Sequence, residues 1–427
     1  MRGVITVNGE QLTILDSSFD LQKCAGVFAI ALGKAAHSMA AALDETLGTR
    51  LTRGVVSAPA IDDDLSARWQ QFMGGHPVPN SFSLAAGHAA LALLKRAAEL
   101  SASDKRALVI FLVSGGGSAM MESLHAANVS LADLQAANKL LVNCGATIAE
   151  INGVRRAWSR IKGGGLSRAA GRSLQVSLIV SDTNACDEAS VASGPTLTAT
   201  AAFDVQEILK RYDLAPQFPQ TLLNSLMRAM RDNDFARDYT DTQRHYTLLD
   251  NDGTIKVAAR IAGEHGFVVE LARDLVEAPI AEGCAELVSR LLQMRERHGN
   301  NENKRGVCLI SGGEFVCPVR GSGVGGRNSE AALRSVLEFD AQSQTGIAAL
   351  QSFVALHAGT DGIDGNSPAA GAIGDDTTLA RAYAQGMDAH DYVARSDAYT
   401  FFEKLGDAVV TGATETNVRD LRIMLAR

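Results

Sequence analysis

Four apolar runs of this chain end directly in glycine-rich turns: ALGKAA at 31–36, VSGGGSAM at 113–120, ISGGEF at 310–315 and HAGTDGIDG at 357–365. Short runs of Val, Ile and Leu alternate with longer Ala- and Leu-rich stretches of helical period, as in VFAIAL followed by KAAHSMAAALDETL. Strand, turn and helix repeating in this order predict βαβ units, in an α/β fold of two Rossmann-like domains with largely parallel sheets buried on both faces. Strands of such sheets present their carboxyl ends to ligands. Glycine there lets the backbone approach an anion, and the following helix start offers unpaired N–H groups. One such turn is satisfied by tight chain reversal alone; four of them point to anion binding.

The length, 427 residues, exceeds what one core organises and predicts two domains. The stretch from Ala201 to Gln243 turns charged and helical, without strand-like runs, and reads as a connector or helical hairpin. This places an N-terminal α/β domain at 1–235 and a C-terminal one at 245–427, with a second α/β unit beginning near Tyr246 and a last segment able to pack back on the first domain. A net charge of −8 without runs of like charge argues against nucleic-acid or membrane partners. The six cysteines form no C-x-x-C pair, and the N-terminus lacks an apolar leader, so a cytoplasmic protein is expected. A homodimer is compatible with the sequence but not specified by it.

Lys34 follows Gly33 at the tip of an apolar run, where an ammonium could neutralise a phosphoryl group; an ordinary first-turn surface lysine is the competing reading. No Walker A motif is present, nor the protein-kinase H-R-D and D-F-G pair. The loop Gly321-Ser-Gly-Val-Gly-Gly326 matches G-x-G-x-x-G but lacks the acidic residue of a dinucleotide site about twenty positions on. Arg327 and Asn328 at its exit supply a guanidinium fork and an amide at a helix start. Carboxylates suited to Mg²⁺ or to a substrate hydroxyl gather in three places: Asp182 and Asp187, Glu314, and Asp361 with Asp364. Asp364, in an Asp-Gly pair, is as readily a turn former. The segment INGVRRAWSRIKGGGL offers Asn152, Arg155, Arg156 and Lys162 to a carboxylate, with Asn152 and Arg155 on one face if helical. His76, beside Pro77, more readily braces a loop.

These segments, in order, together with GGHPVPN, the block SD…D…ASGPT and the terminal TGATETNV, resemble the class II glycerate kinase family, whose C-terminal half is the MOFRL domain. The resemblance spans most of the chain. It implies two α/β domains with the active site in the cleft between them, and ATP-dependent phosphorylation of D-glycerate, typically at the 2-hydroxyl, assisted by Mg²⁺. By motif, Lys34 would neutralise the transferring phosphoryl group, and Asp182 and Asp187 would serve as hydroxyl acceptor or metal ligand. Ser114, Gly115, Gly116, Gly117 and Ser118 would cradle an anionic ligand. Arg327 would pair with carboxylate or phosphate, Asp361 would complete the polar ring and bind metal with Asp187, and Thr411, Gly412 and Asn417 would close the site. Glu314, Gly323, Gly325, Asn328, Asn152, Arg155 and Lys162 complete the expected substrate and nucleotide contacts. Two departures bear on substrate: Ala185-Cys186-Asp187 stands where the family shows Gly-Asp-Asp, and Ala413 and Glu415 replace a Pro and a Gly. An NAD(P)-dependent hydroxy-acid (hydroxypyruvate) reductase using GSGVGG is the alternative.

Overall fold

The computed structural model describes residues 3–102, 104–126, 128–183, 188–197, 203–232, 242–298, 305–344 and 352–427. The chain divides into two units, Met1–Ser181 with Cys186–Leu248, and Asp182–Ala185 with Leu249–Arg427.

The first unit opens with a small antiparallel sheet of β1 (Ile5–Asn8), β2 (Gln11–Ile14) and β3 (Ser17–Asp20). Its main sheet contains β4 (Cys24–Leu32), β5 (Arg53–Ala58), β6 (Trp69–Met73), β7 (Arg106–Ser114), β8 (Leu174–Val180) and β9 (Gln243–Leu249), in the order β6-β5-β4-β7-β8-β9. From β6 across to β8 the neighbours are parallel. The inner strands are buried, β4 from Val27 on and β7 from Ala107 on, which is why they read as continuous apolar runs rather than alternating ones. Helix Ser81–Leu100 lays Ala86, Ala90, Leu94 and Ala97, one helical stripe, over Phe28, Ile30, Val109 and Phe111. Asn80 and Ser83 close a capping box that fixes where this helix starts.

The charged stretch before β9 is helical, as expected, but it belongs to the first unit's core. Helices Val205–Arg211 and Gln220–Asp232 bury Ile208, Leu209, Leu222 and Leu226 against Trp158 and Val154 of helix Ile148–Trp158. Apolar residues recurring on one face need a partner, and Trp158 supplies it. The strand around Tyr246 likewise joins the first sheet as its edge, and Tyr246 Oη lies 2.7 Å from Ser17 Oγ.

The second unit has a mixed sheet of β10 (Phe267–Ala272), β11 (Gly306–Gly313), β12 (Phe353–Gly359), β13 (Gly371–Asp375), β14 (Ala408–Val409) and β15 (Asp420–Ala426), ordered β10-β11-β15-β12-β13-β14. Among the described residues β10 and β11 pair parallel and the other neighbours of this sheet antiparallel, so the largely parallel expectation holds for the first sheet and not this one. The last segment forms the strand inserted between β11 and β12. Helices Ile280–His298 and Arg327–Gln344 cover one face through Leu287, Leu291, Val336 and Phe339, and helix Asn251–Glu264 covers the other through Ile255. Among the described residues no helix is long and apolar enough to cross a membrane.

Candidate active site

In the first sheet the chain runs β4, β5, β6 to one side and β7, β8, β9 to the other, so the order reverses between β4 and β7. Ligands of open α/β sheets bind at the carboxyl ends of the strands flanking such a reversal. Lys34 follows β4 there and the loop 114–118 follows β7. The two tips are stitched together: Lys34 N donates to the Gly115 carbonyl at 2.8 Å, Ala35 N to Ser114 Oγ at 3.0 Å, and Gly33 N to the Ser57 carbonyl at 3.1 Å. Gly33, at φ +116°, lies so close to β7 that an added Cβ would stand 2.3 Å from the Ser114 carbonyl. Glycine is the residue that lets Lys34 come this near the loop.

Gly116 adopts φ +80°, and a Cβ on it would meet His76 Cδ2 at 2.9 Å and Lys34 Cγ at 3.3 Å. The half-buried Lys34 and the imidazole of His76 therefore flank the same glycine. Burial, and then Lys34, push the His76 pKa below its ordinary value, so the ring is neutral beside the lysine. Ser118 Oγ lies 2.9 Å from Ser193 Oγ, which donates to Asn152 Oδ1 at 3.0 Å. Ala192 and Ser193 hold left-handed backbone at φ 50° and 61°, a strained pair seated against Gly117. Ser193, absent from the expected contacts, is thus tied to the glycine loop through Ser118.

Other expected contacts have partners of their own. Lys162 is 2% exposed and ion-paired with Glu122, whose carboxylate also accepts from Ser159 Oγ at 2.5 Å and Ser123 N at 2.9 Å. Burial pushes the Lys162 pKa down, and Glu122 counters it. Lys162 is consequently an internal tie between two loops rather than a ligand-facing cation. Arg155 Nε donates to Asn138 Oδ1 at 2.8 Å, so Asn152 and Arg155, one helix turn apart, serve different partners.

The second unit gathers its polar residues around Arg327. Its Nε donates to Asp420 Oδ2 at 2.7 Å, and Nη2 reaches Glu314 Oε1 at 2.6 Å and Asp420 Oδ1 at 3.1 Å. Asn328 Nδ2 donates to Asp420 Oδ1 at 3.0 Å. Burial alone would lower the Arg327 pKa, but Asp420 and Glu314 outweigh it and raise it, whereas burial raises that of Glu314. Asp364 accepts from the N–H groups of Asn328 and Ser329, both at 2.8 Å, and so caps helix Arg327–Gln344 from a separate loop, a structural use. The half-buried Asp361 accepts from Ile363 N at 3.2 Å. Gly362 lies so close to the Gly412 carbonyl that a Cβ would stand 2.0 Å from it, which brings Thr411 beside this loop. Asn417 Oδ1 accepts from Arg419 N at 2.9 Å. Glu415 occupies left-handed backbone at φ 57°, a conformation that suits glycine. Half-buried Asp182 groups with this unit. Asp187 and Cys186 lie outside the described residues.

The G-x-G-x-x-G loop spends its central donors on the chain itself. Gly323 N is bonded to the Arg395 carbonyl at 3.2 Å, Val324 N to Asp397 Oδ1 at 2.9 Å and Gly325 N to Asn366 Oδ1 at 2.8 Å. A Cβ on Gly321, Gly323 or Gly326 would meet the 395–397 segment or Asp364 within 2.5 Å. These glycines permit close packing of the chain on itself, so Gly323 and Gly325 do not offer the nucleotide contact the motif suggests.

Two family models match the chain: a domain of unknown function, DUF4147, over residues 3–227, and the MOFRL family over residues 307–420. The chain is 34% identical to human glycerate kinase over 472 residues, covering 98% of this chain and 87% of that protein. The chain belongs to the class II glycerate kinase family. The crystal structure of a glycerate kinase from Thermotoga maritima aligns with a TM-score of 0.79 at 29% identity, covering 94% of this chain and 91% of that one. A protein named putative hydroxypyruvate reductase, from Agrobacterium vitis, is 34% identical over 93% of this chain and 98% of its own length. Within this class II glycerate kinase, the residues that sequence reasoning missed are Ser193, Asp420 and Arg422. A signal for the last two exists: β15 reads DLRIMLA with every second residue buried, so Asp420 and Arg422 fall on the inward face with Met424 and Ala426. Charges on the inward face of a central strand are costly without partners.

Proposed function

We propose that the protein is an ATP-dependent kinase of D-glycerate or a closely related small hydroxy acid, transferring the phosphoryl group to the 2-hydroxyl. The observation that carries this reading is the placement of Lys34 against the Ser-Gly-Gly-Gly-Ser loop at the β4–β7 reversal. An ammonium and backbone donors fixed at one point are what phosphoryl transfer asks of a protein, since its catalysis is mostly positioning and charge neutralisation. In this reading Lys34 neutralises the oxygens of the transferring group, and the glycines of loop 114–118 hold a phosphate with their backbone, flanked by Lys34 and His76. The substrate hydroxyl oxygen forms the new bond to phosphorus as the bond to the ADP leaving oxygen breaks. Its proton passes to the acidic block, to Asp182 or Asp187. Arg327 turns its remaining Nη1 edge to carboxylate or phosphate.

Among the described residues no group of three or more His, Cys, Asp or Glu is arranged to hold a metal ion. Mg²⁺ arriving with a nucleotide would need only one or two protein carboxylates, its shell being filled by phosphate oxygens and water. Asp361 is the described candidate, with Asp187 its expected partner. Such an ion would supply charge neutralisation on the phosphates. The thiols of Cys24, Cys144, Cys284, Cys308 and Cys317 are free, which supports a reducing, cytoplasmic setting.

The test is ADP formation on a panel of hydroxy acids with Mg²⁺ and ATP: D-glycerate stimulates it, and a flat panel removes the kinase reading. The Agrobacterium vitis relative keeps a reductase as the second reading. NADH fluorescence separates the two, since occupied N–H groups at 323–325 predict no binding.

A further inference from the structure

The orientation of Arg327 is set by two buried charges on β15, and we propose that Arg422, acting through Asp420 and through the Gly312–Gly313 turn, is the positioning residue for Arg327. The proposal rests on the reading that Arg327 faces the ligand.

Asp420 and Arg422 are each 1% exposed. Asp420 takes the Nε and Nη2 edge of Arg327 in a two-pronged grip and accepts from Asn328 as well. That grip fixes the plane of the guanidinium and leaves Nη1 as the edge available to a ligand anion. A buried carboxylate with this task needs a countercharge of its own, and Arg422 Nη2 stands 3.7 Å from Asp420 Oδ2. Arg422 is itself held on three sides. Nη1 donates to the Gly312 carbonyl and Nη2 to the Gly313 carbonyl at 3.2 Å, while the guanidinium lies 3.6 Å over the Phe315 ring. Those two carbonyls immediately precede Glu314, the other anion on Arg327. Arg422 therefore reaches past Arg327 to its supports, and braces both carboxylates that aim it: one directly, one through its turn.

The turn has no freedom to compensate. Gly313, at φ +82°, would place a Cβ 2.4 Å from the Val276 carbonyl, and its N–H is bound to Asn251 Oδ1 at 2.9 Å. Asn251 Nδ2 in turn donates to the carbonyls of Val418 and Asp420, at 2.8 and 2.9 Å. The end of β11 and the start of β15 are thus tied twice, by Asn251 through backbone and by Arg422 through charge. Removal of Arg422 leaves the backbone tie but frees the carboxylates.

The experiment is a double-mutant cycle on the full chain with R327A, R422M and D420N, reading kcat and KM for D-glycerate and ATP together with each variant's melting temperature. R422M and D420N should each lower kcat/KM by about 10- to 100-fold, in the same parameter that R327A lowers. R327A/R422M should be no slower than R327A alone, because a residue that acts by aiming Arg327 has nothing to aim once it is gone. R422K, which keeps the charge but not the fork, should recover part of the loss. Penalties that add in the double variant, or an R422M enzyme with wild-type kcat/KM, overturn the proposal. Should R422M fail to fold, the D420N and R422K cycles carry the same test. If the wild type turns over no acid, the kinase reading has failed, and the same cycle is read in the calorimetric affinity for ATP: an additive or null result there overturns the positioning role separately.

Discussion

The Lys34 corner and the Arg327 corner reach a similar end, one cation held in a fixed place, by opposite means. Around Lys34 the fixing is done by backbone and hydroxyl: the carbonyl of Gly115, Ser114 Oγ, and glycines that let two strand tips touch. Around Arg327 it is done by side-chain charge, with Asp420, Glu314 and Arg422 partly or wholly buried. A backbone-built corner is held without ion pairs, but it is intolerant of added atoms. A charge-built corner tolerates neither protonation change nor loss of one partner, because a buried charge without its counterion is far costlier than the pair is valuable.

Four measurements bear on that contrast, the largest effect first. K34A should lower kcat by about 1000-fold or more with little change in melting temperature, since the lysine contributes charge to a corner that backbone already holds. Near-normal turnover would make Lys34 a surface lysine and leave the first corner without a function. Acid should weaken the second corner. His357 lies fully buried behind it, 3.1 Å from Ser335 Oγ, its imidazole pushed down to about 3 by burial and then by Arg422. An unfolded histidine titrates near 6.5, so in the window between those values the unfolded chain binds the extra proton. This contribution to stability is intact above about pH 6.5 and is lost as the pH falls toward 3, on the order of 5 kcal/mol across the window. Urea midpoints at several pH values for wild type and H357Q check it: the variant should show a shallower acid slope, and parallel curves would refute the assignment.

S114A tests the first corner from the other side. It removes the acceptor of the buried Ala35 N–H and should cost about 1–3 kcal/mol by denaturant titration, with turnover reduced because Lys34 is no longer registered on the loop. An unchanged midpoint would show that the two strand tips hold without the hydroxyl. The smallest effect is a control on charge itself. R290A breaks a two-pronged pair with Asp274 at 2.6 and 2.7 Å that lies largely in solvent, and it should cost less than about 1 kcal/mol. A larger loss would mean that burial is not what separates the Arg327 cluster from an ordinary surface pair.

The same contrast explains what could be read in advance. Strand-end glycines are local signals, so the α/β class, Lys34 and the serine-glycine loop were visible from residues adjacent in sequence. The parallel first sheet was visible too, because β4 and β7 are apolar on both faces. The mixed second sheet was not: β15 enters between β11 and β12 from the far end of the chain, and its antiparallel direction leaves no mark on its composition. Nor were the fates of Lys162, Gly323 and Gly325. A lysine before three glycines and a G-x-G-x-x-G loop look alike whether they hold a ligand or their own chain, and only the position of Glu122 and of the 395–397 segment distinguishes the two.

By itself, then, the sequence determined the kind of layers this protein forms and where glycine lets strand tips come together, since periodicity and glycine act over a few residues. Tertiary structure alone decided which charges pair with each other. Arg327 meets Asp420 across 93 positions and Lys162 meets Glu122 across 40, and a pairing over such distances is chosen by strand order and packing, not by any neighbour in the chain.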